Sequence, residues 1–70
     1  MKLYAEFSSA MLKSAEYDDE TKELTVTFTN GKPYVYEDVD KSIYDSLITA
    51  ESAGKYFNSI KKDLKIKASE

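Results

Sequence analysis

The sequence predicts an α+β domain, a three-stranded antiparallel β-meander followed by two α-helices packed on one face. Three observations carry that expectation. Leu24 to Thr29 alternates apolar and hydroxylated residues with a period of two. Asn30-Gly31 follows at once, and both residues tolerate the positive φ of a tight hairpin. Apolar residues then recur at helical spacing, first from Ile43 and again from Tyr56. Strands grouped ahead of helices favour α+β over a βαβ arrangement.

Residues 1–7 form an N-terminal arm with two open readings. Leu3, Phe7 and Ala10 make one helical stripe, and Leu3, Ala5 and Phe7 make one strand face. Ser8-Ser9 punctuates its end. Met11 to Tyr17 reads as the first strand, with Met11, Lys13, Ala15 and Tyr17 on one face and Leu12, Ser14 and Glu16 on the other. Asp18 to Lys22 reads as a turn, because Asp bonds back to nearby backbone amides. Glu16, Asp18, Asp19 and Glu20 lack the spacing of a calcium loop, so no metal site is expected.

Glu23 to Thr29 is the clearest strand. Leu24, Val26 and Phe28 share its greasy face, while Thr25, Thr27 and Thr29 share the other, which predicts a sheet covered on one side. Lys32-Pro33 opens the return strand, since proline suits a strand start. Tyr34 and Tyr36 share a face there, with Val35 opposite. Asp40 is the expected N-cap of the first helix, whose stripe is Ile43, Tyr44, Leu47 and Ile48, with Lys41 and Asp45 paired on its surface. Ser52 is the expected cap of the second, whose stripe is Tyr56, Phe57, Ile60 and Leu64. Gly54 either relaxes that turn or lets another backbone approach closely. Residues 65–70 read as a basic, fraying tail.

Seventy residues make one small domain, and a chain of that size buries only about 60% of its unfolded surface. There is no Cys for a disulfide and no His for general-base or metal work. Stability must come from apolar packing, with a homo-oligomer as an alternative supplement. The net charge is −3, which argues against a duplex nucleic-acid binder. All ten positive residues are Lys, so no side chain offers the bidentate guanidinium fork. No apolar run approaches the ~18 residues of a membrane span, and Met1 to Glu6 lacks a secretory signal. A soluble, cytoplasmic protein with no membrane partner is expected.

Ser8-Ser9, Leu12-Lys13-Ser14, Tyr17-Asp18, Leu24 to Phe28, Asn30-Gly31 and Tyr34-Val35-Tyr36 together resemble the KTSC domain. So does Ala50-Glu51-Ser52-Ala53-Gly54-Lys55-Tyr56-Phe57-Asn58. The resemblance runs from about Ser8 to about Lys62 and delimits a single KTSC-like domain over 8–64. That family takes its name from a C-terminal extension of some lysyl-tRNA synthetases and occurs alone in small proteins of bacteria and phages. The synthetase context implies an RNA-binding role; no activity is implied.

Seven residues are candidates for ligand binding: Tyr34, Tyr36, Lys55, Tyr56, Asn58, Lys61 and Lys62. Tyrosines two apart either cover a sheet face or form a platform for stacking bases. Lys55, Tyr56, Asn58, Lys61 and Lys62 either belong to a helix that closes the core or gather phosphate at its start, where free amides and the dipole favour anions. Ser8, Ser9 and Ser14 have no evident base, so neither an enzyme nor a cofactor is expected. The first functional reading is therefore a non-enzymatic binding module for a phosphate-bearing ligand, single-stranded RNA or a nucleotide-like molecule. The alternative is a protein-interaction or self-associating module, including a phage-encoded one acting on a host factor, since Tyr is enriched at interfaces.

Overall fold

The structure, a computed structural model, describes residues 1–69. Its elements run β1 (Lys2–Glu6), β2 (Leu12–Asp18), β3 (Glu23–Phe28), β4 (Pro33–Glu37), α1 (Lys41–Thr49), α2 (Ala53–Ile60), a 3-10 turn (Lys61–Asp63) and β5 (Lys65–Ser69). The five strands lie in the order β1-β2-β3-β4-β5, and every neighbouring pair is antiparallel. The α+β class and the two helices are as expected. The strand count is not: the sheet has five strands, and both helices sit between the fourth and the fifth.

The two additional strands come from the segments read as arm and tail. Each is an edge strand with a single partner, so little side-chain pattern is needed to hold it. β1 turns only Leu3 and Ala5, both half-buried, toward the core side. β5 follows the 3-10 turn and pairs Tyr36 with Ile66 and Glu37 with Lys65, so this part of the tail is not fraying. Glu70, also read as tail, lies outside the described residues.

The alternation expected along β2 is broken by a bulge. Leu12 pairs with Phe28 and Ser14 with Thr27, leaving Lys13 as the extra residue. Leu12 therefore joins Ala15 and Tyr17 in the core instead of opposing them. The β3–β4 turn forms at Asn30-Gly31, but of the two only Gly31 takes a positive φ, 88°; the Asn30 Oδ1 instead accepts the Lys32 amide at 3.0 Å. In the β2–β3 turn the Asp18 carboxylate accepts the Glu20 amide at 3.0 Å.

Asp40 stands at the N-cap of α1 but makes no capping bond with its side chain. Its carboxylate is turned instead toward Lys22, 3.8 Å from the Nζ. The Lys41–Asp45 pair forms at 3.1 Å. Ser52 does cap α2, accepting the Lys55 amide at 3.4 Å.

Both helices lie on one face of the sheet. Leu12, Ala15, Tyr17, Leu24, Val26 and Tyr36 rise from it to meet Val39, Tyr44, Leu47, Ala53 and Phe57. Aromatic rings form the centre: Tyr17 stacks on Tyr44 with centroids 5.6 Å apart, and the Phe57 ring meets Phe28 and Tyr36 edge-on at 5.8 and 5.5 Å. The opposite face carries Thr25, Thr27, Glu16 and Glu23. There Lys67 pairs with Glu23, and Lys65 Nζ lies 3.4 Å from Glu37. Among the described residues no helix is long and apolar enough to cross a membrane.

Candidate functional site

A cleft of about 580 Å³ opens where the β1–β2 loop meets the start of α2. One wall is Phe7 to Met11; the other is Ala50 to Lys55, with Asn58 one turn further along. These walls are about forty residues apart in sequence, so the fold alone brings them together.

The loop wall is pinned from several sides. Phe7 donates its amide to Lys13 at 2.9 Å, and Thr29 donates its amide to Met11 at 3.0 Å and its hydroxyl to Ala10 at 3.1 Å. Inside the loop, the Ser9 hydroxyl oxygen accepts the amides of Met11 and Leu12 at 3.0 and 3.3 Å. That oxygen is thereby held against Gly54. A Cβ on Gly54 would lie 2.8 Å from the Ser9 Oγ and 3.2 Å from the Met11 Cβ. Glycine makes room here for the side chains of Ser9 and Met11, rather than for another backbone as expected.

The helix wall starts at the Ser52 cap, after which Ala53 and Gly54 are buried. The first amides of a helix have no intrahelical acceptor, so this end of α2 carries partial positive charge. Lys55 adds a full positive charge at the rim, Glu51 adds a negative one, and Asn58 adds an amide. Phe7 and Met11 supply the apolar floor. Such a lining suits a compact, partly apolar ligand bearing an anionic group.

Of the seven residues picked out in the sequence, the cleft gathers Lys55 and Asn58. Tyr56 lies half-buried against the core. Tyr36 is a core residue, only 6% exposed, with its ring edge-on to Phe57; burial raises its phenol above the ordinary pKa. Tyr34 is half-buried and meets Phe28 edge-on at 5.1 Å. The two tyrosines point to the helix-covered face and offer no open stacking platform. Lys61 and Lys62 are exposed in the 3-10 turn beyond the other end of α2, where positive charge complements the helix dipole. Ser8, Ser9, Met11 and Glu51 were missed as lining residues. The Ser8-Ser9 pair stood out as a boundary, as part of the family resemblance and as hydroxyls without a base, not as a lining, and Gly54 was the sequence signal that another segment would lie against it.

Comparison with known proteins finds relatives of this chain in sequence and in fold. The KTSC domain profile matches residues 8–63. A protein of Tsukamurella paurometabola is 37% identical over 54 residues, covering 77% of this chain and 81% of that one. An uncharacterized protein of Stutzerimonas stutzeri is 39% identical over 54 residues, covering 77% and 76%. The crystal structure of a KTSC domain protein from Yersinia pestis superposes with a TM-score of 0.84 at 25% identity, covering 96% of each chain.

Proposed function

This chain belongs to the KTSC domain family, and we propose that it is a non-enzymatic binding module whose cleft takes a compact phosphate-bearing ligand, nucleotide-like in size. One observation carries the reading: a cleft of about 580 Å³ into which the start of α2, Lys55 and Asn58 all face. Pockets that hold small ligands are typically about 300–1,000 Å³, mostly apolar, with a few placed polar groups. Phosphate is favoured at a helix start by free amides and by the dipole. A cytoplasmic setting goes with such a ligand.

A compact ligand is favoured over a long strand. Glu51 on the rim and a net charge of −3 repel an extended polyanion. Lys61 and Lys62 stand at the far end of α2, and the buried Tyr36 ring cannot stack on a base. Single-stranded RNA, with the link to lysyl-tRNA synthetases that the resemblance implies, is the second arm of the same proposal.

The test is an amide-resolved NMR titration with inorganic phosphate, a panel of nucleoside monophosphates and a single-stranded RNA oligomer. Shifts at Gly54, Lys55 and Asn58 that weaken with salt and with Lys55→Ala are expected. Absence of any shift at low salt overturns the reading. Shifts only with RNA, abolished by Lys61→Ala, move the proposal to its second arm. A protein partner, including a host factor for a phage-encoded copy, is the alternative, favoured by the unpaired backbone along β1.

A further inference from the structure

The two edges of the sheet differ. β1 pairs with β2 on one side only. Phe7 donates its amide to Lys13, and the Met1 carbonyl accepts the Asp19 amide. In an antiparallel ladder, residues bonded to the partner alternate with residues whose N–H and C=O point the other way. Met1, Leu3, Ala5 and Phe7 therefore turn their backbone groups toward β2. Lys2, Tyr4 and Glu6 turn theirs toward the open edge. The same three residues carry exposed side chains, whereas Leu3 and Ala5 are half-buried on the core side.

The order Lys2, Tyr4, Glu6 is complementary to itself. Lay a second β1 antiparallel with Tyr4 opposite Tyr4 of the partner subunit. Lys2 then falls opposite Glu6 of the partner subunit, and Glu6 opposite Lys2 of the partner subunit. Every one of these pairs exchanges both backbone hydrogen bonds, because each member presents both groups outward. Leu3 meets Ala5 of the partner subunit on the core side and prolongs the apolar layer. Centring the pairing on Lys2 or on Glu6 would set like charges face to face, so the charges select one register. The other edge is unsuited to self-pairing: β5 carries Lys65 and Lys67, like charges that blunt an edge.

We propose that the chain pairs with a second copy through β1, joining two five-stranded sheets into one across a two-fold axis at Tyr4. Little stands in the way. Tyr4 is 61% exposed, with its hydroxyl 3.4 Å from Glu6. Lys2 lies 3.6 Å from Glu16 in an exposed pair that is weakly held. This interface stands independently of what the cleft binds.

The test is sedimentation equilibrium over a concentration series. The wild-type mass is expected to rise toward twice that of the chain. Lys2→Glu and Glu6→Lys are each expected to weaken the dimer by about tenfold or more, since both symmetry-related pairs become repulsive. The double variant Lys2→Glu/Glu6→Lys restores both pairs with their signs exchanged and should recover the dimer. Tyr4→Lys, at a site whose side chain faces solvent, should weaken it too, with the circular dichroism spectrum kept. Hydrogen exchange at the amides of Lys2, Tyr4 and Glu6 should slow as concentration rises. A wild-type chain that stays monomeric up to millimolar concentration overturns the proposal, as does a double variant no tighter than the single ones.

Discussion

The Tyr17 hydroxyl donates a 2.6 Å hydrogen bond to the carbonyl of Val39, 22 residues further along the chain. Both residues are buried, and the Tyr17 ring also stacks on Tyr44. Val39 in turn donates its amide to Lys22 at 2.9 Å, just after Asp38 takes a positive φ of 56°. One side chain on β2 thus fixes the joint through which the chain leaves the sheet and enters α1.

Tyr17→Phe keeps the ring stack and strands the Val39 carbonyl without a donor. An orphaned buried acceptor costs about 1–3 kcal/mol, a large share of what a domain this small has. Urea unfolding should show that loss with little change in slope. A loss below a few tenths of a kcal/mol would mean that solvent reaches the carbonyl.

Burial raises the phenols of Tyr17, Tyr36 and Tyr44 above their ordinary pKa of 10.0. A pKa higher in the folded state than in the unfolded one gives stability that is whole below the unfolded value and lost as pH rises through the folded one. Stability should therefore start to fall above pH 10.0, and tyrosinate absorbance from these rings should appear together with unfolding. Tyr17→Phe should make the fall shallower. An alkaline fall of equal slope in the variant would assign the effect to other groups.

Gly54→Ala forces a methyl to within 2.8 Å of the Ser9 Oγ, an atom held in place by two amides. Such overpacking costs about 1–3 kcal/mol. Removing the oxygen with Ser9→Ala should reduce the cost of Gly54→Ala in a double-mutant cycle. Additive losses would show that Met11 is the obstacle instead.

Phe57→Ala removes the ring that Phe28 and Tyr36 both meet edge-on. Its side chain is fully buried, and such truncations cost about 3–5 kcal/mol. The variant should be largely unfolded at room temperature by circular dichroism. A cooperative transition near that of the wild type would show that α2 repacks.

On the acid side, the Asp18 carboxylate is held below its ordinary pKa of 3.8, first by the Glu20 amide that it accepts. A depressed folded pKa gives stability present above the unfolded value and lost as pH falls through the folded one. Asp18→Ala should remove that part of the acid dependence, read as a smaller change in unfolding midpoint below pH 3.8. Equal acid slopes in the two proteins would leave the turn without a role.

Where side-chain pattern and covalent geometry act locally, the fold was legible. Leu24, Val26 and Phe28 announced β3, Asn30-Gly31 announced its turn, and the stripes from Ile43 and Tyr56 announced the helices. The edges were not legible, because an edge strand pairs once and tolerates a poor pattern. Ile66 stands between two lysines in β5, and Leu3 and Ala5 also fitted a helix. Lys13 hid the phase of β2, since one bulged residue shifts every side chain before it to the other face. The cleft was half legible. Lys55 and Asn58 came from the helix that carries them, but Ser9 reaches Gly54 only through tertiary contact. Tyr34 and Tyr36 were seen to share a face; nothing local decided that α2 would cover it.

The placement of both helices after β4 has a consequence for synthesis. As the polypeptide leaves the ribosome, β1 to β4 emerge first, and each can zip onto its predecessor without waiting for distant partners. That nascent ribbon has nothing to shelter Leu12, Leu24 and Val26 until Leu47 and Phe57 arrive. During that interval its apolar side is exposed and prone to association, and β5, which follows both helices in the chain, is the last strand to become available to β4.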